Sequence, residues 1–412
     1  MNFKKKVLPL ITAATLLTAL IVCTILIKSG GVASAKSSKF ENLDSFTEVM
    51  YLIEKNYVEE VDNKDLVDGA IKGMLQNLDP YSTFFNEKDY KEFQVDTKGE
   101  FGGLGITIGL RDNILTVIAP IEDTPAYKAG LKSGDRIIKI EDNSTAGLSL
   151  EDAVSKLRGK PGTTVKITIH RDSKPKPFDV SITRAIIKVK AVKYSMIGND
   201  VAYVRVTQFK EDVSGEIKDA IEQLRHDKFK GIIVDLRNNP GGLLTEAINV
   251  SSIFLPPNKE VVYTKDRAGR DHHYKSSLLT LREDKTPLVV LVNEGSASAS
   301  EIFSGAMQDY HRGILVGKKT FGKASVQSII PLRDGSAIKL TTAKYYTPNG
   351  RMIHGTGIEP DIAVEQNYDN DNVTQEEIDK LIADGNKPII DLDMDEQLKK
   401  AVEKLREMIK HG

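Results

Sequence analysis

Apolar positions change texture several times along the chain. From Val7 to Ile27 they form a largely apolar run of about 20 residues, the length that crosses a bilayer's hydrocarbon core. The spacing then becomes helical. Phe46, Val49, Met50, Ile53 and Tyr57 share one face, and Leu66, Ala70, Ile71, Met74, Leu75 and Leu78 another, before Pro80 breaks the pattern. Two short helices cannot bury both faces alone, so a second domain or a second copy is expected to cover them. From Gly99 the chain is glycine-dense and then alternating. ILTVIAP, DRIIKIED, TTVKITIHR and FDVSITRA predict short strands, with TPAYKAGL and SLEDAVSKLRG as short helices between them. After Ile186 apolar strand runs alternate with helical ones: DVAYVRVTQF with VSGEIKDAIEQLRHD, GIIVDLR with NPGGLLTEAINVSSIF, and PLVVLV with SASEIFSGAMQDY. That order predicts a largely parallel sheet covered by helices. At the end, Leu398, Ala401, Val402, Leu405, Met408 and Ile409 line one face of a helix that needs a partner.

The predicted fold is therefore an α/β multidomain protein. Residues 1–39 hold a basic end and an apolar segment, 40–97 a helical arm, and 98–185 a β-rich module. Residues 186–370 form the α/β core, and 371–412 an acidic stretch and a final helix. A length of 412 residues fits two or three domains. The formal net charge of −1 offers no nucleic-acid surface. Cys23 is the single cysteine, which excludes a disulfide within the chain and a cysteine metal cluster. Lys4 to Lys6, the apolar run and the small-x-small Ala33-Ser34-Ala35 resemble an export signal. The length of the run favours an uncleaved membrane anchor, with the basic residues cytoplasmic and everything after Lys36 outside; cleavage after Ala35 would release a secreted form. A lipoprotein reading of Cys23 is weak, because Val22 stands where a small residue is needed.

Chemistry concentrates in three stretches. In VNEGSASASEIF, Ser296, Ser298 and Ser300 stand at alternate positions between a strand and a helix. Ser298 and Glu301 have capping-box spacing, which is a complete structural account of Ser298. The same place is also where open α/β sheets put their sites, and a helix start offers free amides to an oxyanion. A nucleophilic serine needs a base. None of the seven histidines lies in a triad motif, and no Gly-x-Ser-x-Gly elbow occurs. A lysine serves instead if burial lowers its pKa. In GKKTFGKASVQ, Gly317, Gly322 and Lys323 imitate a phosphate loop, but Ala324 replaces the magnesium-binding hydroxyl and strand-like residues follow. If that stretch is a strand, Lys323 and Gln327 share a face. In DLRNNPGG, two glycines follow a strand and could turn a backbone amide toward a reacting carbonyl.

DLRNNPGG, VNEGSASASEIF, GKASVQ and YYTPNGRMIHGTGIEPD, in this order, resemble the carboxy-terminal processing peptidases, also called tail-specific proteases. FGGLGITI and TPAYKAGLKSGDRIIKI resemble a PDZ domain, and LDPYSTFF the family's link from helical arm to PDZ. The likeness spans about residues 40 to 365. It implies a serine–lysine dyad: Ser298 as nucleophile, Lys323 as base and Gln327 as the nearby glutamine. The implied oxyanion amides are Ala299 and one of Gly241 and Gly242, with Gly242 preferred. Gly103, Leu104, Gly105 and Ile106 would bind a peptide's terminal carboxylate, and Arg158 would link PDZ and active site. Family members commonly carry glycine where this chain has Ala324. The resemblance further implies protein C-terminal tails as substrate, a homodimer, and no metal or cofactor. The alternative is an inactive PDZ scaffold that grips C-termini at the membrane.

Overall fold

The computed structural model describes residues 41–365, save 112, 122, 279 and 280, and then 392 and 395–411. The apolar run at 7–27, Cys23, Ala33–Ala35 and the acidic stretch at 367–380 lie outside the described residues. Among the described residues no helix is long and apolar enough to cross a membrane. The chain divides into two compact units, Met1–Phe84 and Phe85–Gly412.

The first unit holds α1 (Glu41–Asn56) and α2 (Asn63–Gln76). Asp62 caps α2 by accepting the Lys64 N–H at 2.7 Å, and the helix closes before Pro80. Phe46, Val49, Met74 and Leu78, all on the predicted apolar faces, are exposed. A short β1 (Thr83–Phe85) follows, and then α3 (Glu87–Lys98), held between an Asn86 cap and Gly99 in the left-handed conformation.

The β-rich module is β2 (Glu100–Gly103), β3 (Ile106–Arg111), β4 (Ile114–Pro120), α4 (Pro125–Lys128), β5 (Arg136–Ile140), β6 (Asn143–Ser144), α5 (Leu150–Leu157), β7 (Thr164–His170), β8 (Phe178–Thr183) and β9 (Ala185–Lys188). Strands β3, β4, β5, β7 and β8 form one antiparallel sheet, with β6 on the edge of β5. Its inward residues, among them Val117, Ile137, Ile167 and Ile169, meet Ala153 and Leu157 of α5 in a separate core. Strands β2 and β9, the way into and out of the module, pair antiparallel.

The core runs β10 (Val192–Ile197), β11 (Val201–Val206), α6 (Val213–Arg225), β12 (Gly231–Asp235), α7 (Leu244–Phe254), β13 (Glu260–Asp266), β14 (Asp271–Lys275), β15 (Leu288–Val292), α8 (Ala299–Asp309), β16 (Ile314–Gly317), β17 (Ser325–Pro331), β18 (Ala337–Tyr346), β19 (Ile362–Ala363) and α9 (Glu396–His411). The main sheet has the order β10-β11-β12-β15-β16-β19. It is parallel except for the edge pair β10–β11, as the strand–helix alternation predicts. Side chains of β12 and β15 alternate between two layers. Ile232, Val234, Leu288 and Val290 join the core under α6, α7 and α8. Ile233, Val289 and Leu291 join the one under α9. Both faces are covered, so every residue of these strands is apolar or buried and no alternation shows in the sequence. The partner of the final helix is this sheet: Leu398, Ala401, Val402 and Leu405 are buried against it. A second, antiparallel sheet pairs β17 with β18, β18 with β13 and β13 with β14.

Candidate active site

The turns that follow β12 and β15 lie side by side at the carboxyl ends of their strands and are stitched together. Asn238 and Asn293 form a reciprocal pair: Asn238 N–H donates to Asn293 Oδ1, and Asn293 Nδ2 to Asn238 Oδ1, each at 2.8 Å. Ser296 Oγ donates to Leu236 O at 2.8 Å, Ser300 Oγ to Asn239 O at 2.9 Å, and Ala297 N–H to Asn239 O at 3.0 Å. The three serines of the motif therefore differ. Ser296 and Ser300 are fully buried and bound to the neighbouring turn, whereas Ser298 is half-buried.

Ser298 stands immediately before α8 with φ 53° and ψ −111°. A positive φ is costly for a residue with a Cβ, and such backbone persists only where the surroundings hold it. Ser298 and Glu301 are set as a capping box, with Ser298 N–H donating to Glu301 Oε2 at 2.9 Å. The Glu301 N–H reaches the Ser298 carbonyl oxygen, also at 2.9 Å.

Glu301 does more than cap. Its fully buried carboxylate also accepts Thr320 Oγ1 (2.6 Å), Gly322 N–H (2.7 Å) and Lys323 N–H (2.9 Å). One side chain thus binds the amides of both Ser298 and Lys323. Tyr345, 1% exposed, adds a second link: its single hydroxyl proton lies between the carbonyls of Ser298 (3.1 Å) and Lys323, with the Glu301 carboxylate as a further hydrogen-bond partner. Burial pushes the Tyr345 phenol well above its usual range, and the Glu301 carboxylate beside it adds to that.

Lys323 is half-buried and lies two residues ahead of β17. A strand follows it, not the helix that a phosphate loop opens. The β17–β18 register shifts between Val326 and Gln327, so regular alternation does not run from 323 to 327. Gln327 Nε2 donates to Ser325 Oγ at 2.8 Å and to Thr341 Oγ1 at 3.3 Å.

The two glycines of the β12 turn are distinct. Gly241 is buried with φ 97°, and a Cβ there would lie 2.8 Å from both Ser298 Cβ and Ala299 N. Its N–H is taken by Asn239 Oδ1 at 2.9 Å, and its carbonyl accepts Phe209 N–H at 2.9 Å. In a trans peptide the next N–H points the opposite way, so the Gly242 amide faces away from Phe209. Gly242 is exposed. Ala299 is the first residue of α8, where amides lack intrahelical acceptors.

Behind this turn, Asp235 and Arg237 form a buried network. Arg237 binds Asp235 and, through both terminal nitrogens at 2.8 Å, Asp395 at the start of α9. Tyr203 donates to Asp235 at 2.6 Å. Burial works to raise the Asp235 carboxyl, but the Arg237 guanidinium outweighs it and holds the group below the usual carboxylate range.

In the β-rich module, Gly103, Leu104, Gly105 and Ile106 meet Val154, Leu157 and Arg158 around a cleft of about 80 Å³. The Arg158 guanidinium sits 4.3 Å above the Phe101 ring. Leu104 O and Gly105 O accept Ala126 N–H (2.9 Å) and Ile121 N–H (2.8 Å). The following amides, Gly105 N–H and Ile106 N–H, point away from those donors. A wider, open depression of about 610 Å³ at the β13–β14 turn, lined by Asp266, Arg267 and Arg270, contains none of these residues. Among the described residues no group of three or more His, Cys, Asp or Glu side chains is set to hold a metal ion.

The links made by Glu301, Tyr345, Asn239 and the Asn238–Asn293 pair are not visible in the sequence. Only Glu301 carried a signal, and it read as a cap.

Comparisons with known proteins bear on both sites. The model of peptidase family S41 matches residues 200–364, that of the PDZ domain 102–182, and that of the N-terminal domain of the activating protease CtpB 27–89. A carboxy-terminal-processing protease of Bartonella bacilliformis is 46% identical over 336 residues, covering 80% of this chain and 77% of its own. The carboxy-terminal processing protease CtpA of Bacillus subtilis is 39% identical over 334 residues, covering 81% and 70%. Among solved structures, a photosystem II D1 C-terminal processing protease is 28% identical with a TM-score of 0.46, covering 85% of this chain and 94% of that one.

Proposed function

Because the chain belongs to the carboxy-terminal processing proteases of peptidase family S41, we propose that it cuts near protein C-termini with a Ser298–Lys323 dyad. The observation that carries this reading is the meeting of the two residues on one buried carboxylate, that of Glu301.

The PDZ module captures a substrate's terminal carboxylate on the Gly105 and Ile106 amides, and the apolar cleft of Leu104, Val154 and Leu157 takes the last side chain. Neutral Lys323 then removes the Ser298 proton as the serine oxygen attacks the scissile carbonyl. The amides of Gly242 and Ala299 stabilise the oxyanion; that Gly241 N–H is already bound supports choosing Gly242. The protonated lysine passes its proton to the leaving amine, and water hydrolyses the acyl-enzyme. Gln327 steadies the amine, and Arg158 relays occupation of the cleft. The N-terminal segment anchors the protein, with its body outside the cell. The exposed apolar residues of α1 and α2 support a homodimer.

The test is a fluorogenic peptide assay on the full chain with Ser298→Ala and Lys323→Ala. Each is expected to lose about 10⁴- to 10⁶-fold in kcat while PDZ peptide binding persists. The wild-type rate is expected to rise with pH as the amine loses its proton. Full activity in Ser298→Ala would sink the dyad. A wild-type chain that binds peptides yet cleaves none would favour the scaffold.

A further inference from the structure

Ser298 and Lys323 reach the site on different elements, the start of α8 and the segment ahead of β17. A dyad needs a fixed separation, and misplacement of about 1 Å can cost 100-fold in rate. We propose that the Tyr345 hydroxyl is the strap that sets this separation, tying the main chain of Ser298 to that of Lys323; the proposal rests on the dyad reading above.

Tyr345 is suited to the task. It is the penultimate residue of β18, whose neighbour β17 continues directly from the Lys323 segment. Its own N–H donates to Ala324 O at 3.1 Å, so its backbone already belongs to the lysine side of the site. Its hydroxyl crosses to the serine side, to the Ser298 carbonyl at 3.1 Å, while also reaching the Lys323 carbonyl. The phenol is buried, so water cannot take over these bonds without opening the core. Burial keeps it protonated, so it remains a donor throughout the range in which the lysine works. Glu301 binds the two amides, and the one Tyr345 proton bridges the two carbonyls as a shared, three-centre contact on the opposite side.

The hydroxyl is also separable from the fold. Ser298 O accepts Glu301 N–H (2.9 Å) and Ile302 N–H (3.0 Å), so α8 keeps its first turn without the phenol. Tyr345→Phe retains the ring and its packing and removes the hydroxyl alone, with its contacts to the two carbonyls and to the Glu301 carboxylate.

The experiment compares wild type, Tyr345→Phe, Ser298→Ala and Lys323→Ala as full chains. It reads cleavage of a C-terminal reporter peptide, the number of reactive serines titrated to completion with a fluorophosphonate, and the PDZ affinity for a non-cleavable tail peptide. In Tyr345→Phe, kcat per titrated site is expected to fall about 10- to 100-fold, with KM within about twofold and tail-peptide affinity unchanged. An unchanged kcat per titrated site overturns the strap, including when total activity falls because fewer sites titrate. Failure of Tyr345→Phe to fold overturns it too, by making the phenol a general stability element. Full cleavage by Ser298→Ala refutes the dyad whatever Tyr345→Phe does. Inactive Ser298→Ala and Lys323→Ala beside a normal Tyr345→Phe refute the strap alone.

Discussion

One continuous stretch, Phe101 to Ile108, supplies most of one wall of the PDZ cleft, and α5 supplies the rest. The candidate catalytic site draws instead on the turns after β12 and β15, the segment around Lys323 and the end of β18. The first is built from one short stretch and one helix of the same module. The second exists only when four distant pieces of chain are packed together. A local site depends on loop conformation, and an assembled one on the buried polar bonds that join its parts. Those bonds are costly to break singly, because each leaves an unmet partner in the interior.

This contrast can be broken at several points. The largest effect is expected behind the catalytic turn. Asp235→Asn removes a buried charge partner of Arg237 and is expected to cost about 3–5 kcal/mol of stability, read by urea unfolding at pH 7. The Asp235 carboxyl is held below its unfolded value near 4, so its contribution is complete above about pH 4. It is lost as pH falls through the depressed folded value. The variant is expected to show a flatter decline of stability in that acid window. An equally steep decline would remove Asp235 as its source.

Next comes Gly241→Ala. The new Cβ would lie 2.6 Å from Ala297 O and 2.8 Å from Ala299 N, at φ 97°. It is expected to lower kcat by about 10²- to 10³-fold by shifting the oxyanion turn, with tail-peptide affinity unchanged. A parallel loss of peptide binding would mean that the two sites are not built independently.

The smallest effect is expected at the local site. Gly105 has φ 78°, and a Cβ there would meet Thr124 Cβ at 2.2 Å. Gly105→Ala is expected to cost about 1–2 kcal/mol, weakening tail-peptide binding about 5- to 30-fold. Cleavage of short peptides that bypass the PDZ module is expected to continue at the wild-type kcat. An unaltered affinity would detach this loop from carboxylate binding.

Legibility followed the same division. The strands of the PDZ sheet and the three strand–helix units of the core were readable, because apolar period and turn residues lie within each segment. Other elements escaped. Helix α3 buries no residue; its local marks are the Asn86 cap, Glu87 and Asp89 in the first turn, Lys98 in the last and Gly99 after it. Strand β14, Asp271–Lys275, is a polar sheet edge with no apolar alternation to read. Lys323 and Gln327 looked like neighbours on one strand face, but β17 begins after Lys323 and its register shifts before Gln327.

What the sequence determined alone was the layering: period and run length specify which segments are helix or strand and which faces seek cover, since both are set by backbone geometry over a few residues. It also carried the glycine-rich loop of the PDZ cleft, where positive φ and the missing Cβ are local demands. The tertiary structure decided the rest. Three serines at alternate positions are equivalent as text. They cease to be so when Leu236 O and Asn239 O, from another strand's end, accept the hydroxyls of Ser296 and Ser300. Ser298 is left half-buried at the start of α8, close against Gly241. No local pattern encodes that choice, because a buried hydroxyl bonds to whatever carbonyl the fold brings to it.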